Sequence, residues 1–178
     1  MITESYYYKN YLKKVSKILR KYNLIKRWDP VRSGHIIERE IFLSVYIIRK
    51  MIESKKLTDK IVGMRIKTKC FPIKKHCRVT RNSSYEKKYD LKTVLTRDFN
   101  LNFICNQLIH SYVFDILLSE KNKPFWIVFC SDNKRNSELY MLEIKTIINI
   151  LESISRDCVF RSTGVYNDSI KDYVVHNY

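Results

Sequence analysis

The chain has 178 residues and carries 34 Lys and Arg against 18 Asp and Glu, a net charge of +16. Hydrophobic residues make up 45% of it, enough for a core without disulfide staples at this length. Only three glycines occur, with no GxGxxG or GxxxxGKS/T run, which excludes the phosphate loops of Rossmann and P-loop nucleotide enzymes.

The start of the chain, MITESYYYKNYLKK, lacks the basic, apolar and small-residue order of an export signal. Apolar runs such as IFLSVYII fall short of the roughly 18 residues of a spanning helix. A cytoplasmic protein with no membrane partner is expected. Cys70, Cys77, Cys105, Cys130 and Cys158 are odd in number and without framework spacing, so reduced, mostly core cysteines are expected.

The charge is not spread evenly. Residues 1–92 hold 25 Lys and Arg against 8 Asp and Glu, a net +17; residues 93–178 hold 9 against 10, a net −1. Asymmetry of this size points to a polyanionic partner, and nucleic acid fits best. A solubilising lysine-rich surface is the competing explanation.

The first element predicted is an amphipathic helix over 6–25. Tyr8, Tyr11, Leu12, Val15, Ile18, Leu19, Tyr22 and Ile25 follow the i, i+3, i+4, i+7 rule. Lys9, Lys13, Lys17 and Arg20 fall away from that stripe and form a cationic line fit to track a phosphate backbone. Trp28-Asp29-Pro30 breaks the helix. Asp29 is placed to cap a second helix with Pro30 at its first position, running to about Ser54 with Ile37, Ile41, Val45, Ile48, Met51 and Ile52 inside.

Residues 55–92 carry 13 Lys and Arg. Arg65, Lys67 and Lys69 alternate with Ile66, Thr68 and Cys70, which predicts a strand with one basic face, ended by Phe71-Pro72. Lys74, Lys75, His76 and Arg78 surround a second extended piece reaching Val79. Arg81 to Lys88 reads as a mobile loop. A third helix is predicted over 97–112, with Leu101, Ile104, Cys105, Leu108 and Tyr112 as its core stripe. Strands at Tyr112–Leu118 and Phe125–Cys130, joined by a polar hairpin connection, and at Glu138–Glu143 make a small antiparallel meander. A last helix covers 144–155, and the tail after Arg156 has little pattern. The expectation is one α+β domain over 1–178, with helices at the N-terminus and centre.

Candidate chemistry is sparse. Asp98, Asn102, Asn106 and His110 stand four apart, which on a continuous helix makes one polar line. His110 suits acid–base work near neutral pH and Asn106 a phosphate or ribose contact. A histidine satisfied at a helix end is the plain alternative. Cys70, His76 and Cys77 have no CxxC partner downstream, so no metal is assigned. Glu143-Ile144-Lys145 with Asp132 upstream is at best a fragment of a magnesium-nuclease pattern. No cofactor is expected.

Cys105-Asn106-Gln107-Leu108-Ile109-His110 resembles the motif of HEPN domains, small helical proteins in which an Arg, a polar residue often Asn, three more residues and a His lie on one helix. Members that cleave RNA do so without metal, using Arg and His from two paired protomers. Asn106 and His110 match; Cys105 stands where the family has Arg. The resemblance therefore implies a degenerate, RNA-binding or partner-binding member of a toxin or phage-defence system, with a homodimer allowed. Cys105–Phe114 also resembles a stretch shared by bacterial proteins of unassigned function.

Three functions remain. One is a nucleic-acid-binding protein, RNA favoured over DNA, holding phosphates with Lys9, Lys13, Lys17, Arg20, Arg65, Lys67, Lys69, Lys74, Lys75 and Arg78. The second is a metal-independent ribonuclease using His110 and Asn106. The third is a subunit whose basic face meets an acidic protein.

Overall fold

A computed structural model describes residues 2, 4–24, 29–81, 83–119, 124–169 and 171–178. Ile25, Trp28, Asn82 and most of the connection between the two strands after residue 110 lie outside the described residues. The chain is an α+β fold. Two helices, α1 (Tyr6–Leu24) and α2 (Pro30–Glu53), come first. A four-residue helix, α3 (Asp59–Val62), leads into strand β1 (Arg65–Pro72). A second short helix, α4 (Tyr85–Lys88), precedes β2 (Leu95–Asn100) and α5 (Leu101–Ile109). Then follow β3 (Ser111–Leu118), β4 (Pro124–Ser131), β5 (Glu138–Glu143) and α6 (Ile144–Arg156). A C-terminal hairpin, β6 (Ser162–Asn167) and β7 (Asp172–Asn177), closes the chain.

The expected cap is present. Asp29 accepts hydrogen bonds from the amides of Val31 and Arg32 at 3.0 Å each, with Pro30 opening α2. This satisfies two amides that the helix itself leaves unpaired. The meander β3-β4-β5 forms as predicted and is part of a larger antiparallel sheet of order β2-β1-β5-β4-β3.

Two strand assignments differ from the sequence reading. Residues 97–100 belong to β2, an edge strand paired with β1. Its residues are nearly all exposed, so the strand carries no period-2 apolar signal. Asn100 then caps α5, its side chain accepting from the Phe103 amide at 2.7 Å. The tail, read as unpatterned, is the hairpin β6–β7.

Register fixes the two faces of the sheet. Cys70, Tyr140, Phe129 and Phe114 fall on the inner face, with Ile127, Leu142 and Ile116 beside them. α5 and α6 cover that face, and α1 packs on α6 while α2 packs on α5. Tyr140 meets Phe99 and Phe103 edge-on at 5.6 and 5.5 Å, and those two rings stack at 4.3 Å. Such edge and stacked contacts favour one arrangement beyond simple area burial.

Part of the outer face is covered by residues 73–81 and 83–94, which run across it as a strap. Ile73 bridges to Tyr89, and no strand continues to Val79, although Val79 is buried. Within the segment read as a mobile loop, Tyr85–Lys88 form the short helix α4 instead, and its first residue is anchored to the sheet. The Tyr85 hydroxyl donates to Asp115 at 2.8 Å, and that of Tyr89 to the Arg135 carbonyl at 2.5 Å. Burial, and then the Asp115 hydrogen bond, push the Tyr85 phenol well above its ordinary value, so it stays a neutral donor.

Candidate nucleic-acid interface

β1 alternates cations with small or apolar residues, and a strand sends successive side chains to opposite faces. Ile66, Thr68 and Cys70 are therefore buried toward the helices, while Arg65, Lys67 and Lys69 project from the outer face. Among the described residues none of these three cations forms an ion pair. Asp98 faces Lys67 across the β1–β2 ladder, a local carboxylate that tempers the field.

Beside this row lies an open groove of about 360 Å³. Lys67, Lys69, Thr96, Trp126, Met141, Glu143 and Thr146 line it. The Lys69 ammonium stands 4.2 Å from the centre of the Trp126 ring, a cation–π arrangement. The strap leaves this part of the face open, because its tyrosines reach Asp115 on β3 and Cys130 at the far end of β4 from Trp126. Lys74, Lys75 and Arg78 follow β1 on the strap and are exposed; the Lys74 ammonium donates to the Lys87 carbonyl at 3.0 Å.

The cationic line predicted on α1 is broken. Lys13 and Lys17 are exposed. Lys9 is only 9% exposed, donates to the Asp157 carbonyl at 2.8 Å and lies 3.9 Å from its carboxylate. Arg20 is engaged by Glu152 of α6 at 2.5 Å. The reason is the helix period. Lys9, Leu12, Ser16 and Leu19 share one flank, and α6 packs there, burying Ser16 and both leucines. The cations of α1 and β1 also stand on opposite sides of the molecule, one on the helical layer and one on the outer sheet face.

The predicted polar line on the third helix is corrected too. Asp98 is on β2, so the line begins at Asn102. The oxygens of Asn102 and Asn106 both accept from one nitrogen of Arg49, at 2.6 Å each, and Arg49 also donates to Glu53 at 2.6 Å. Arg49 is the polar residue that sequence reasoning missed; its one signal was a cation within the aliphatic pattern of α2. Cys105 is buried, and burial pushes its thiol up to about 12. His110 is the exposed C-terminal cap of α5, its amide donating to the Asn106 carbonyl at 3.1 Å.

Cys70 is buried on the inner face while Cys77 and His76 lie beyond the end of β1, so the three do not converge. Asp132 pairs with Arg135 at 3.1 Å, and Glu143 lines the groove instead. Among the described residues no helix is long and apolar enough to cross a membrane. No protein-family model matches the chain, and no curated protein or solved structure is significantly similar to it.

Proposed function

We propose that this protein binds RNA through its phosphates, with the outer face of β1 as the principal contact. The observation that carries the reading is the row Arg65, Lys67 and Lys69, free of ion pairs among the described residues and bordering an open groove. Cations arranged this way release counterions when they meet a polyanion, and the affinity then falls steeply with salt. Lys74, Lys75 and Arg78 on the strap extend the same surface. Lys13 and Lys17 are a separate cationic spot on the helical side, and Lys9 and Arg20 serve the fold.

The test is RNA affinity measured by anisotropy from about 50 to 200 mM salt, where three or more phosphate contacts predict at least a several-fold decline. Flat affinity over that range, or no binding at the low end, defeats the reading. Preferential capture of an acidic protein, with no nucleic acid retained, is the outcome that favours a protein partner.

A second reading is favoured by one contact. The Arg49 guanidinium sits at Asn106, one helical turn before the exposed His110, and so supplies from α2 a cation near the position where Cys105 replaces the arginine of the HEPN motif. Under this reading His110 acts as acid or base in metal-independent RNA cleavage. RNA cleaved in the presence of a chelator, and left intact by the His110→Ala variant, is the result expected; RNA intact with the wild-type chain removes it.

A further inference from the structure

We propose that the groove beside β1 holds an unpaired nucleotide, its base stacked on Trp126 and its phosphate met by Lys67 and Lys69. This deepens the RNA-binding reading and rests on it. Three features of one place support it. Trp126 projects from β4 on the outer face, opposite Glu143 of β5 and Leu117 of β3. Its ring and the Met141 side chain give the groove an apolar, polarisable wall, while Thr96 and Thr146 add small polar groups. Lys67 and Lys69 stand two residues apart on β1, across β5 from Trp126, so both ammonium groups reach the same side.

An aromatic ring beside a cationic row is the combination that grips single strands, since every base has a face to stack and every nucleotide a phosphate. Lys69 lies over the Trp126 ring at 4.2 Å, so the ring face it covers is one that borders the groove. A base stacking there displaces the ammonium, and the displaced ammonium is then next to the phosphate of the same nucleotide. A duplex cannot do this, because its base faces are covered by their neighbours. A free anion gains only the two lysines. The groove thus discriminates by strandedness, whereas the cationic row alone does not.

The chain has two tryptophans, Trp28 and Trp126, so a Trp28→Phe variant leaves Trp126 as the single reporter. Its emission is followed during titration with a single-stranded oligoribonucleotide of about ten nucleotides, the matching duplex, and inorganic polyphosphate. Quenching by the single strand, and not by the other two, is expected. In parallel, Trp126→Leu, checked for folding by circular dichroism, is expected to lose about tenfold in single-strand affinity while keeping its duplex and polyphosphate affinity. If Trp126→Leu disturbs the fold, the fluorescence titration alone decides. Salt-dependent RNA binding with no change at Trp126 overturns the stacking site and leaves the RNA-binding reading standing; no RNA binding at low salt overturns both.

Discussion

α1 and β1 both carry cations and no acid but use them in opposite ways. Each presents cations at the period of its own secondary structure: Lys9, Lys13, Lys17 and Arg20 along the helix, Arg65, Lys67 and Lys69 along the strand. On α1 two of the four are engaged by the neighbouring helical layer, Lys9 at Asp157 and Arg20 at Glu152. On β1 all three stay on the open side of the sheet. Periodicity shows which residues share a face. It does not show whether a second element will pack there, and that is what separates a structural cation from one available to a ligand.

The sharpest way to test the contrast is to remove one cation of each kind. Lys9→Met keeps the apolar stem of the side chain and deletes the ammonium. It leaves the Asp157 carboxylate, only 6% exposed, without its cation, although Thr58 still donates to it from its amide and hydroxyl at 2.9 and 2.7 Å. A loss of about 2–4 kcal/mol in unfolding free energy is expected by urea titration, because an uncompensated buried charge is costly. A midpoint unchanged from wild type makes Lys9 an ordinary surface cation and erases the distinction.

The complementary experiment moves binding and not stability. Reversing Arg65, Lys67 and Lys69 together to Glu is expected to weaken RNA binding at least about thirtyfold at low salt and to flatten the salt slope by about two, near 0.7 per lost single-strand phosphate contact. Lys13→Glu with Lys17→Glu, on the helical side, is expected to change affinity less than about threefold at the same salt. Equal effects from the two sets place the RNA across both sides of the molecule, or on neither.

The parts of this fold that the sequence displays are those that bury one face and expose the other. α1, α2 with its Asp29 cap, β1 and α6 show an apolar period, because each has a wet side and a dry side; the meander, buried on both faces from Ile127 to Cys130, is marked by its polar connections instead. β2 and the hairpin β6–β7 show none. Tyr166 and Tyr173 are 51% and 62% exposed although they meet ring to ring at 5.3 Å, so the hairpin has no dry face to announce it. The Arg49 contact to Asn102 and Asn106 joins residues 53 and 57 positions apart, and nothing local encodes it. Trp126 sits within PFWIVFCS, where its outward direction depends on the register with β3 and β5. The cations of the candidate interface were legible; the ring beside them was not.

A smaller effect is expected at the partly exposed pair on the helical side. Arg20 is 56% exposed and Glu152 23%, and Glu152 also binds Arg156 at 3.2 Å. Arg20→Gln is expected to cost no more than about 0.5 kcal/mol, and raised salt should shrink the difference from wild type. A cost as large as that of Lys9→Met contradicts the ranking by burial.

The weakest use of charge is at the root of the C-terminal hairpin, where it can be read by pH. Asp59 is half exposed and accepts from the His176 ring at 3.0 Å and from the Asn177 amide at 3.3 Å. Chiefly the His176 hydrogen bond, then the Asn177 amide and the nearby charges of His176 and Lys55, hold its carboxyl below the ordinary carboxylate range. A carboxyl lowered in the folded state stabilises that state above its unfolded value, and the contribution is lost as pH falls through the lowered value. The window therefore lies below about pH 4, and for so exposed a pair the contribution stays well under about 1 kcal/mol. The Asn177 side chain still donates to the carbonyls of Lys55 and Leu57 at 2.9 and 3.0 Å, so acid should loosen the hairpin root without releasing it. The expected readout is a shift of the Tyr166 and Tyr173 ring resonances below that pH, ahead of global unfolding and reduced in Asp59→Ala. Ring resonances that move only with global unfolding assign the docking to Asn177 alone.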